Sequence, residues 1–208
     1  MAAPIEMKDL PWLSGAVLSG GVVGPISLMM GLRFISGFTA SLLLNLEGLA
    51  TGLIAYFFFK ENAGRNIWLA LSSMTIGGVF LSWDPQRETF NLTGPLLIFL
   101  AMVAWGLDNN LTNQISGKNP VQIAWIKGGV AGTISLSLAL FLGRQVPLTL
   151  SLLYALALGS FSYGVSLVLY IKALKGLGSF RTGEFFSLAP FIGALTSIIV
   201  LREWIGWV

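Results

Sequence analysis

The stretch GLRFISGFTASLLLNLEGLATGLIAYFFFKE, residues 31–61, returns in degenerate form at residues 173–203 as ALKGLGSFRTGEFFSLAPFIGALTSIIVLRE. The two copies align without a gap at a constant offset of 142. The identical pairs are Leu32/Leu174, Phe38/Phe180, Leu46/Leu188, Leu53/Leu195 and Glu61/Glu203. Each copy has an apolar span, a basic turn, a second span and a closing basic–acidic pair. The chain therefore contains an internal duplication, whose copies are expected to fold alike.

The composition places both copies in a membrane. Of the 208 residues, 55% are hydrophobic and 10% are charged, and the mean hydropathy is +0.80. So few polar residues cannot cover a soluble globule of this size. The chain has no cysteine and no histidine, which excludes disulfides and the usual thiolate, imidazole and Ser/His sites. We therefore expect no metal and no cofactor. The net charge of +3 is spread over short loops, so nucleic acid is not an expected partner.

Seven stretches are close to the roughly 20 apolar residues that a helix needs to cross the hydrocarbon. Helices are expected because backbone groups in lipid must be satisfied within the segment, and strand-like alternation is lacking. The predicted spans lie near 12–32, 36–59, 66–83, 92–115, 120–142, 149–172 and 180–201. The sequence thus predicts an all-α polytopic membrane protein, a bundle of about seven transmembrane helices.

The duplication relates spans one and two to spans six and seven. Their separation of five is odd and each crossing reverses direction, so the two copies run in opposite directions through the membrane. Inverted repeats of this kind are typical of secondary transporters.

Loop charges predict a cytoplasmic N-terminus. With that orientation, seven basic residues lie inside and four outside, which follows the positive-inside rule. The inside set is Lys8, Lys60, Arg65, Lys118, Lys172, Lys175 and Arg181, and the outside set is Arg33, Arg87, Arg144 and Arg202. The expected location is a plasma membrane or bacterial inner membrane, with the lipid bilayer as the immediate partner.

Glu47 is the best single candidate for a functional residue. It lies about 13 residues before the end of span two, or roughly 20 Å at 1.5 Å per residue, which is close to mid-membrane. An ionisable group at that depth costs roughly 3 kcal/mol, so it needs a reason to be there. The alternative is a neutral buried carboxyl that hydrogen-bonds to Asn45 or to a backbone carbonyl.

Span four carries a polar density that a lipid-facing helix would not tolerate. Trp105, Asp108 and Thr112 share one face by helical spacing. Further polar residues, Asn109, Asn110, Asn113 and Gln114, spread over other faces. The helix is therefore expected to be surrounded by protein or water, although a purely structural ladder of interhelical hydrogen bonds fits the same pattern.

Lys127 is expected at the depth of Asp108. It stands about eight residues after the turn at residues 117–120, and Asp108 stands about ten before it, so their depths agree within roughly 3 Å. A structural salt bridge, a substrate-binding amine and a side chain snorkelling to the interface are all open. The candidate substrate-binding or coupling residues are Glu47, Asp108, Asn109, Lys127, Asn45, Asn110, Asn113 and Trp105.

Small-residue spacings predict close helix packing. Gly20 with Gly24, Gly48 with Gly52, and Gly128 with Gly132 are each four residues apart, which lets neighbouring helices approach.

Several motifs in order resemble the EamA-type branch of the drug/metabolite transporter superfamily. They are LLLNLE at 42–47, DNNLT at 108–112, IKGGVAG at 126–132, and an Arg-Thr-Gly at 181–183 followed by APFIGA at 189–194. The resemblance covers nearly the whole chain. It implies a fold of ten helices in two inverted halves, and carriage of small metabolites or drugs, often outward.

Set against that family fold, the seven spans correspond to helices three to nine. Residues 1–83 are then expected to be the remnant of the first repeat, 84–91 the loop between repeats, and 92–208 a second repeat without its final helix. The expectation is a fragment truncated at both ends, or a chain whose missing helices come from a homodimer or another partner.

The leading functional prediction is a secondary transporter of a small molecule, and not an enzyme. A membrane-embedded enzyme acting on a lipid-like substrate could use the same acids and asparagines, and a non-transporting structural subunit would explain the short length. The absence of histidine and of metal-ligand or phosphate-loop motifs, together with the inverted repeat, favours the carrier.

Overall fold

The fold is a bundle of helices, given by a computed structural model that describes residues 3–35, 40, 43–62, 64–82, 92–144, 150–189 and 192. The α-helices are α1 (Leu10–Ala16), α2 (Gly24–Gly31), α3 (Leu46–Phe57), α4 (Arg65–Ser82), α5 (Thr93–Gln114), α6 (Pro120–Phe141), α7 (Leu150–Leu158) and α8 (Ser166–Phe186). A 3₁₀ turn, Met7–Asp9, precedes α1. Two π-helical segments, Val17–Val23 and Gly159–Val165, connect α1 to α2 and α7 to α8.

Within the described residues, four continuous helical runs are long and apolar enough to cross a membrane. They are Met7–Gly31, Thr93–Gln114, Pro120–Phe141 and Leu150–Phe186, and α3 is a shorter apolar helix. The predicted all-α membrane fold is confirmed. The predicted loop at 84–91 and the predicted span beyond residue 192 lie outside the described residues.

The last run joins predicted spans six and seven, which the sequence separated at 173–179. The helical path breaks at Gly178, where the backbone has φ 79° and ψ 173°. The sixth span therefore runs about five residues further than predicted, and the seventh begins at Ser179.

The π-helical segments extend the duplication upstream of the aligned sequence. Adding 142 to Val17 and Val23 gives Gly159 and Val165, the bounds of the second segment. The same offset carries the end of α1 to the end of α7, and the start of α2 to the start of α8. The two halves thus repeat their helix breaks as well as their spans.

The duplicated spans two and seven contact each other. A Cβ placed on Gly48 of α3 would overlap Ser187, and one placed on Gly52 would lie 3.2 Å from the Phe180 ring, in the part of α8 after Gly178. As residue numbers rise along α3, those of the contacting residues therefore fall. These parts of spans two and seven cross antiparallel, as span parity predicted.

α5 is the central helix, since α1, α2, α3, α8 and the first π-helical segment all pack against it. On its buried face, Ile98, Ala101 and Met102 are completely buried. The small-residue predictions hold for two pairs. Gly20 and Gly24 receive Asp108 and Trp105 of α5, Gly48 receives Ser187 directly after α8, and Gly52 receives Leu71 of α4 and Phe180 of α8.

The third small-residue pair does not pack in this way. For Gly128 and Gly132, no described atom lies within 4 Å of a Cβ built at either position. The packing prediction is therefore wrong for this pair in the described part of the chain. The two glycines lie on a part of α6 that its described neighbours leave uncovered.

The N-terminal residues bind the turn between α5 and α6. Ala3 forms a β-bridge with Lys118, and the backbone N–H of Ile5 donates to Gln122 at 3.1 Å. The Lys118 ammonium lies 2.6 Å from the Glu6 carboxylate, and that hydrogen bond is the main reason why the pKa of Glu6 falls to about 2. The beginning of the chain is thereby held at the same end of the bundle as this turn.

Substituting Gly178→Ala should destabilise the protein by about 2 kcal/mol, because φ 79° with ψ 173° is a conformation that only glycine adopts without strain. Gly176→Ala is the matched control. Gly176 lies within α8, and nothing lies within 4 Å of a Cβ built there, so that substitution should be neutral or slightly stabilising. Unfolding in detergent measures both, and equal stability of the two variants would contradict the strained break.

Docking of the N-terminal residues should weaken in acid. The depressed pKa of Glu6 means that its contribution is complete above the unfolded value of 4.5 and is lost as the pH falls through about 2. Hydrogen exchange of residues 3–9, corrected for intrinsic rates, should show opening between these pH values. Glu6→Gln should remove that pH dependence, and its persistence in the variant would assign the opening to another group.

Candidate functional site

α5 places its polar residues at the centre of the bundle and directs them to different neighbours. Asp108, Asn109, Asn110 and Thr112 are all buried, at 8% exposure or less. Their partners lie on α3 and α6, and Asn113 reaches the segment after α3. Protein therefore covers these polar residues, whereas other positions of α5, such as Leu96 and Leu107, are exposed.

Asp108 and Lys127 form a buried ion pair. Nζ of Lys127 lies 2.5 Å from Oδ1 of Asp108 and 2.9 Å from the Thr112 hydroxyl oxygen, and that hydroxyl donates to Asp108 Oδ1 at 2.9 Å. The side chain of Lys127 is 4% exposed and that of Asp108 is 11% exposed. The alternative that the Lys127 side chain extends to the interface is thus wrong, because its ammonium has two acceptors within the bundle.

The first π-helical segment makes room for this pair. A Cβ at Gly20 would overlap the Asp108 carboxylate. The Trp105 indole N–H donates to the Gly20 carbonyl at 3.0 Å, and its ring fills the space above Gly24. Trp105, a predicted site residue, therefore anchors α5 against the segment that accommodates Asp108.

Glu47 lies in the first turn of α3 and faces Asn109. The Asn109 amide donates to Glu47 Oε1 at 3.0 Å and to the Thr51 hydroxyl at 3.1 Å. Glu47 is half-buried, and its partner Asn109 directly follows Asp108 in α5. Asn45 is buried one residue before α3, and the contact of Glu47 found among the described residues is with Asn109 across helices.

Asn110 has a structural role. Its amide donates to the Thr51 carbonyl at 2.9 Å and to the Gly106 carbonyl at 2.8 Å, and the residue is completely buried. A Cβ at Gly106 would lie 2.8 Å from the Thr51 backbone nitrogen. Asn110 thus holds α3 and α5 at close approach, as the hydrogen-bond-ladder alternative predicted.

Asn113 belongs to a second polar group at one end of the bundle, which we name the Glu61 clasp: Glu61, Asn113, Ser179 and Phe180. The Asn113 amide donates to Glu61 at 2.8 Å. The backbone N–H groups of Ser179 and Phe180 each donate to the same carboxylate at 3.2 Å. Glu61 therefore caps the helical turn that begins after the break at Gly178.

Sequence reasoning missed Glu61 as a functional residue. The signal was present, since Glu61 and Glu203 are one of the identical pairs of the duplication. What the sequence could not show was the break at Gly178, which exposes the backbone N–H groups that Glu61 accepts.

Two tyrosines near the buried acids were also missed. Tyr163 is 52% exposed and lies in the second π-helical segment, which packs against α6, and Tyr170 lies in α8. The Tyr170 oxygen is buried and has no hydrogen-bond partner among the described residues. Its ring packs edge-on against Phe186, with centroids 5.2 Å apart. We name the central cluster, formed by Glu47, Thr51, Asp108, Asn109, Thr112, Lys127 and Tyr170, the acid site.

The acid site thus lies where the two halves meet. Glu47 and Gly20 come from the first copy of the repeat, Tyr163 and Tyr170 from the second, and α5 and α6 lie between them in sequence. A polar site at the interface of inverted repeats is where membrane carriers hold their solutes. Residues 92–208, more than half of the chain, match the EamA-like transporter family.

The chain belongs to the EamA-like transporter family. An uncharacterized transporter of Methanothermobacter thermautotrophicus is 31% identical over 207 residues, covering 97% of this chain and 60% of the relative. The uncharacterized transporter YyaM of Bacillus subtilis is 24% identical over 82% of this chain and 59% of its own length. A second Bacillus subtilis relative, the uncharacterized transporter YdfC, is 26% identical over 46% of this chain and 31% of its own.

Membership of the EamA-like family confirms the resemblance seen in the sequence and makes this chain a multi-pass membrane protein of a transporter family. The chain spans about three fifths of the length of the first two relatives. The family and the names of the relatives favour the carrier over the enzyme alternative. The EamA-like match begins at residue 92, at the start of the described part of α5.

Removing Lys127 should destabilise the bundle more than removing an exposed lysine. Lys127→Met leaves the buried Asp108 carboxylate without its cation, and we expect a loss of about 3 kcal/mol. Lys172→Met, at an exposed position of α8, should change stability by less than about 0.5 kcal/mol. The double variant Asp108→Asn/Lys127→Met should regain part of the loss, since the charge is removed with its partner.

Stability is measured as the free energy of unfolding in mixed micelles with increasing dodecyl sulfate. A Lys127→Met variant as stable as Lys172→Met would show that the pair contributes little to holding α5 against α6.

Proposed function

We propose that this chain acts in a secondary transporter that moves a small metabolite or drug across the membrane by alternating access, as an exporter or exchanger. The observation that carries the proposal is the arrangement of one polar, mostly buried acid site between two inverted halves whose helix breaks coincide at the same offset. Alternating access needs a site that both halves contact and elements in each half that can bend.

The π-helical segments are suited to be the bending elements. An extra residue in a helical turn weakens the regular i→i−4 hydrogen bonds, and such turns recur at functional positions. The first segment contains Gly20, which accommodates Asp108, and the second packs against α6, which carries Lys127. A change in the contacts of the acid site is thereby transmitted to the π-helical segment of each half.

The Glu61 clasp is suited to hold one end of the bundle closed. Its carboxylate joins the segment after α3, the end of α5 and the turn after Gly178. Opening of that end requires these three hydrogen bonds to be exchanged for water. With the N-terminus in the cytoplasm, as the loop charges favour, the clasp closes the cytoplasmic side.

Within the acid site, the roles follow from the contacts. Glu47 is half-buried and bound through one oxygen to a neutral amide, so it is the group proposed to exchange a proton for solute. Asn109 positions Glu47 against Thr51, and Asp108 with Lys127 fixes α5 against α6. Asn45, Asn110, Asn113 and Trp105 support this arrangement from α3 and α5.

The test uses the purified full chain in vesicles that contain a pH-sensitive dye. Cationic, zwitterionic, neutral and anionic solutes are added in turn, and saturable proton movement is recorded. We expect at least one class of solute to drive it, Glu47→Gln to abolish it, and Asp108→Asn to reduce it. Glu184→Gln, the same change at a half-buried acid of α8, should leave it intact.

Two results count against the proposal. Unchanged coupling in both Glu47→Gln and Asp108→Asn would remove these carboxylates from the mechanism. Absence of saturable movement for every class of solute, with folded protein verified by its unfolding transition, would contradict transport by this chain.

A further inference from the structure

The acid site carries an excess of negative charge. Among the described residues it holds two carboxylates, Glu47 and Asp108, and one cation, Lys127. The Lys127 ammonium already binds both Asp108 and Thr112, and the residue is 3% exposed, so it does not compensate the charge of Glu47. Glu47 receives one neutral donor, the amide of Asn109. An ionised Glu47 therefore needs a positive partner from outside the described residues.

Unused hydrogen-bonding capacity lies next to this charge. Among the described residues, Glu47 Oε1 accepts from Asn109 and no hydrogen bond to its other oxygen is found. The buried Tyr170 hydroxyl oxygen has no partner there either, and its ring packs on Phe186, beside the contact between Ser187 and Gly48 that adjoins Glu47. A carboxylate oxygen and a hydroxyl oxygen are both acceptors, and a group with several N–H donors satisfies them together.

An aromatic pair lies beside the same position. Tyr170 and Phe186 meet edge to face, and Phe186 directly precedes Ser187, which lies against Gly48, the residue after Glu47. Ring faces attract cations and also accept an apolar body, so they favour an organic cation over a hydrated inorganic one.

Other classes of ligand fit less well. A bare metal ion prefers five or six oxygen ligands, and within the described residues no group of three acids, histidines or cysteines could hold one. An anion would face two carboxylates while the lysine is already bound to one of them. A neutral solute would offer no cation to Glu47, which would then keep its proton and could not exchange it for the solute.

We propose that the acid site binds the ammonium group of an organic amine, with Glu47 as its counter-ion and Tyr170 as a hydrogen-bond acceptor and aromatic wall. The assignment rests on the transport role proposed above, since it names the class of solute that this site selects. It makes Tyr170 a specificity-determining residue.

Binding to the purified full chain in micelles at pH 7 tests the assignment with three probes of similar shape: 2-phenylethylammonium, 2-phenylethanol and phenylacetate. Calorimetry should show the ammonium binding at least about tenfold more tightly than the other two, as expected for a charge-assisted hydrogen bond. Glu47→Gln should weaken it by about tenfold or more. Tyr170→Phe, which keeps the ring, should weaken it by about fivefold.

Controls separate the site from general effects. Glu184→Gln should bind the ammonium as the unchanged chain does, and added sodium chloride, compared with choline chloride at equal ionic strength, should not compete specifically. Tighter binding of phenylacetate or phenylethanol, specific competition by sodium, or unaltered ammonium binding in both Glu47→Gln and Tyr170→Phe would overturn the assignment.

The two proposals fail in different ways. Saturable transport confined to neutral or anionic solutes, without ammonium binding, would overturn the amine assignment and leave the transport role standing. Ammonium binding that depends on Glu47, in vesicles that move no solute, would contradict the transport role and support the amine site.

Discussion

Placing charged side chains inside an apolar bundle is the constraint on which the rest of this structure depends. An unpaired carboxylate or ammonium at depth costs several kcal/mol, so Asp108 can be buried because Lys127 and Thr112 contact it. That pairing fixes the depth of α5 relative to α6. It also requires a glycine opposite Asp108, at Gly20, and brings the first π-helical segment against the centre of the bundle.

The duplication gives the two halves the same helix breaks, but the polar residues that they contribute to the acid site differ. The helix breaks recur at the offset of 142, yet Glu47 corresponds to Ala189, and Gly20 corresponds to Ser162. One half therefore supplies the acid and the other supplies Tyr163 and Tyr170. The position aligned with Glu47 in the second copy is therefore uncharged.

The sequence predicted features that follow from regular helical rise, and it did not predict local breaks in the helices or which of several roles an aromatic residue takes. Regular helical rise placed Asp108 and Lys127 at one depth, and the ion pair confirms it. The π-helical segments were not predicted, because their two sequences share a single identical pair, Val23 and Val165. An extra residue in a helical turn also leaves the hydropathy of the span unchanged. Tyr170 was not predicted because an aromatic residue in a span fits packing and interfacial belts equally well.

The crossing of α3 with α8 places Glu47 close to the axis that relates the two copies. Gly48 lies against Ser187 and Gly52 against Phe180, so contacting residue numbers rise on one helix as they fall on the other. With copies related by 142, the position that faces its own repeat mate falls close to Leu46, whose mate is Leu188. The local two-fold axis therefore passes beside Glu47. Under the alternating access proposed above, a group next to this axis keeps nearly the same surroundings in both conformations, which an acid displaced along α3 would not.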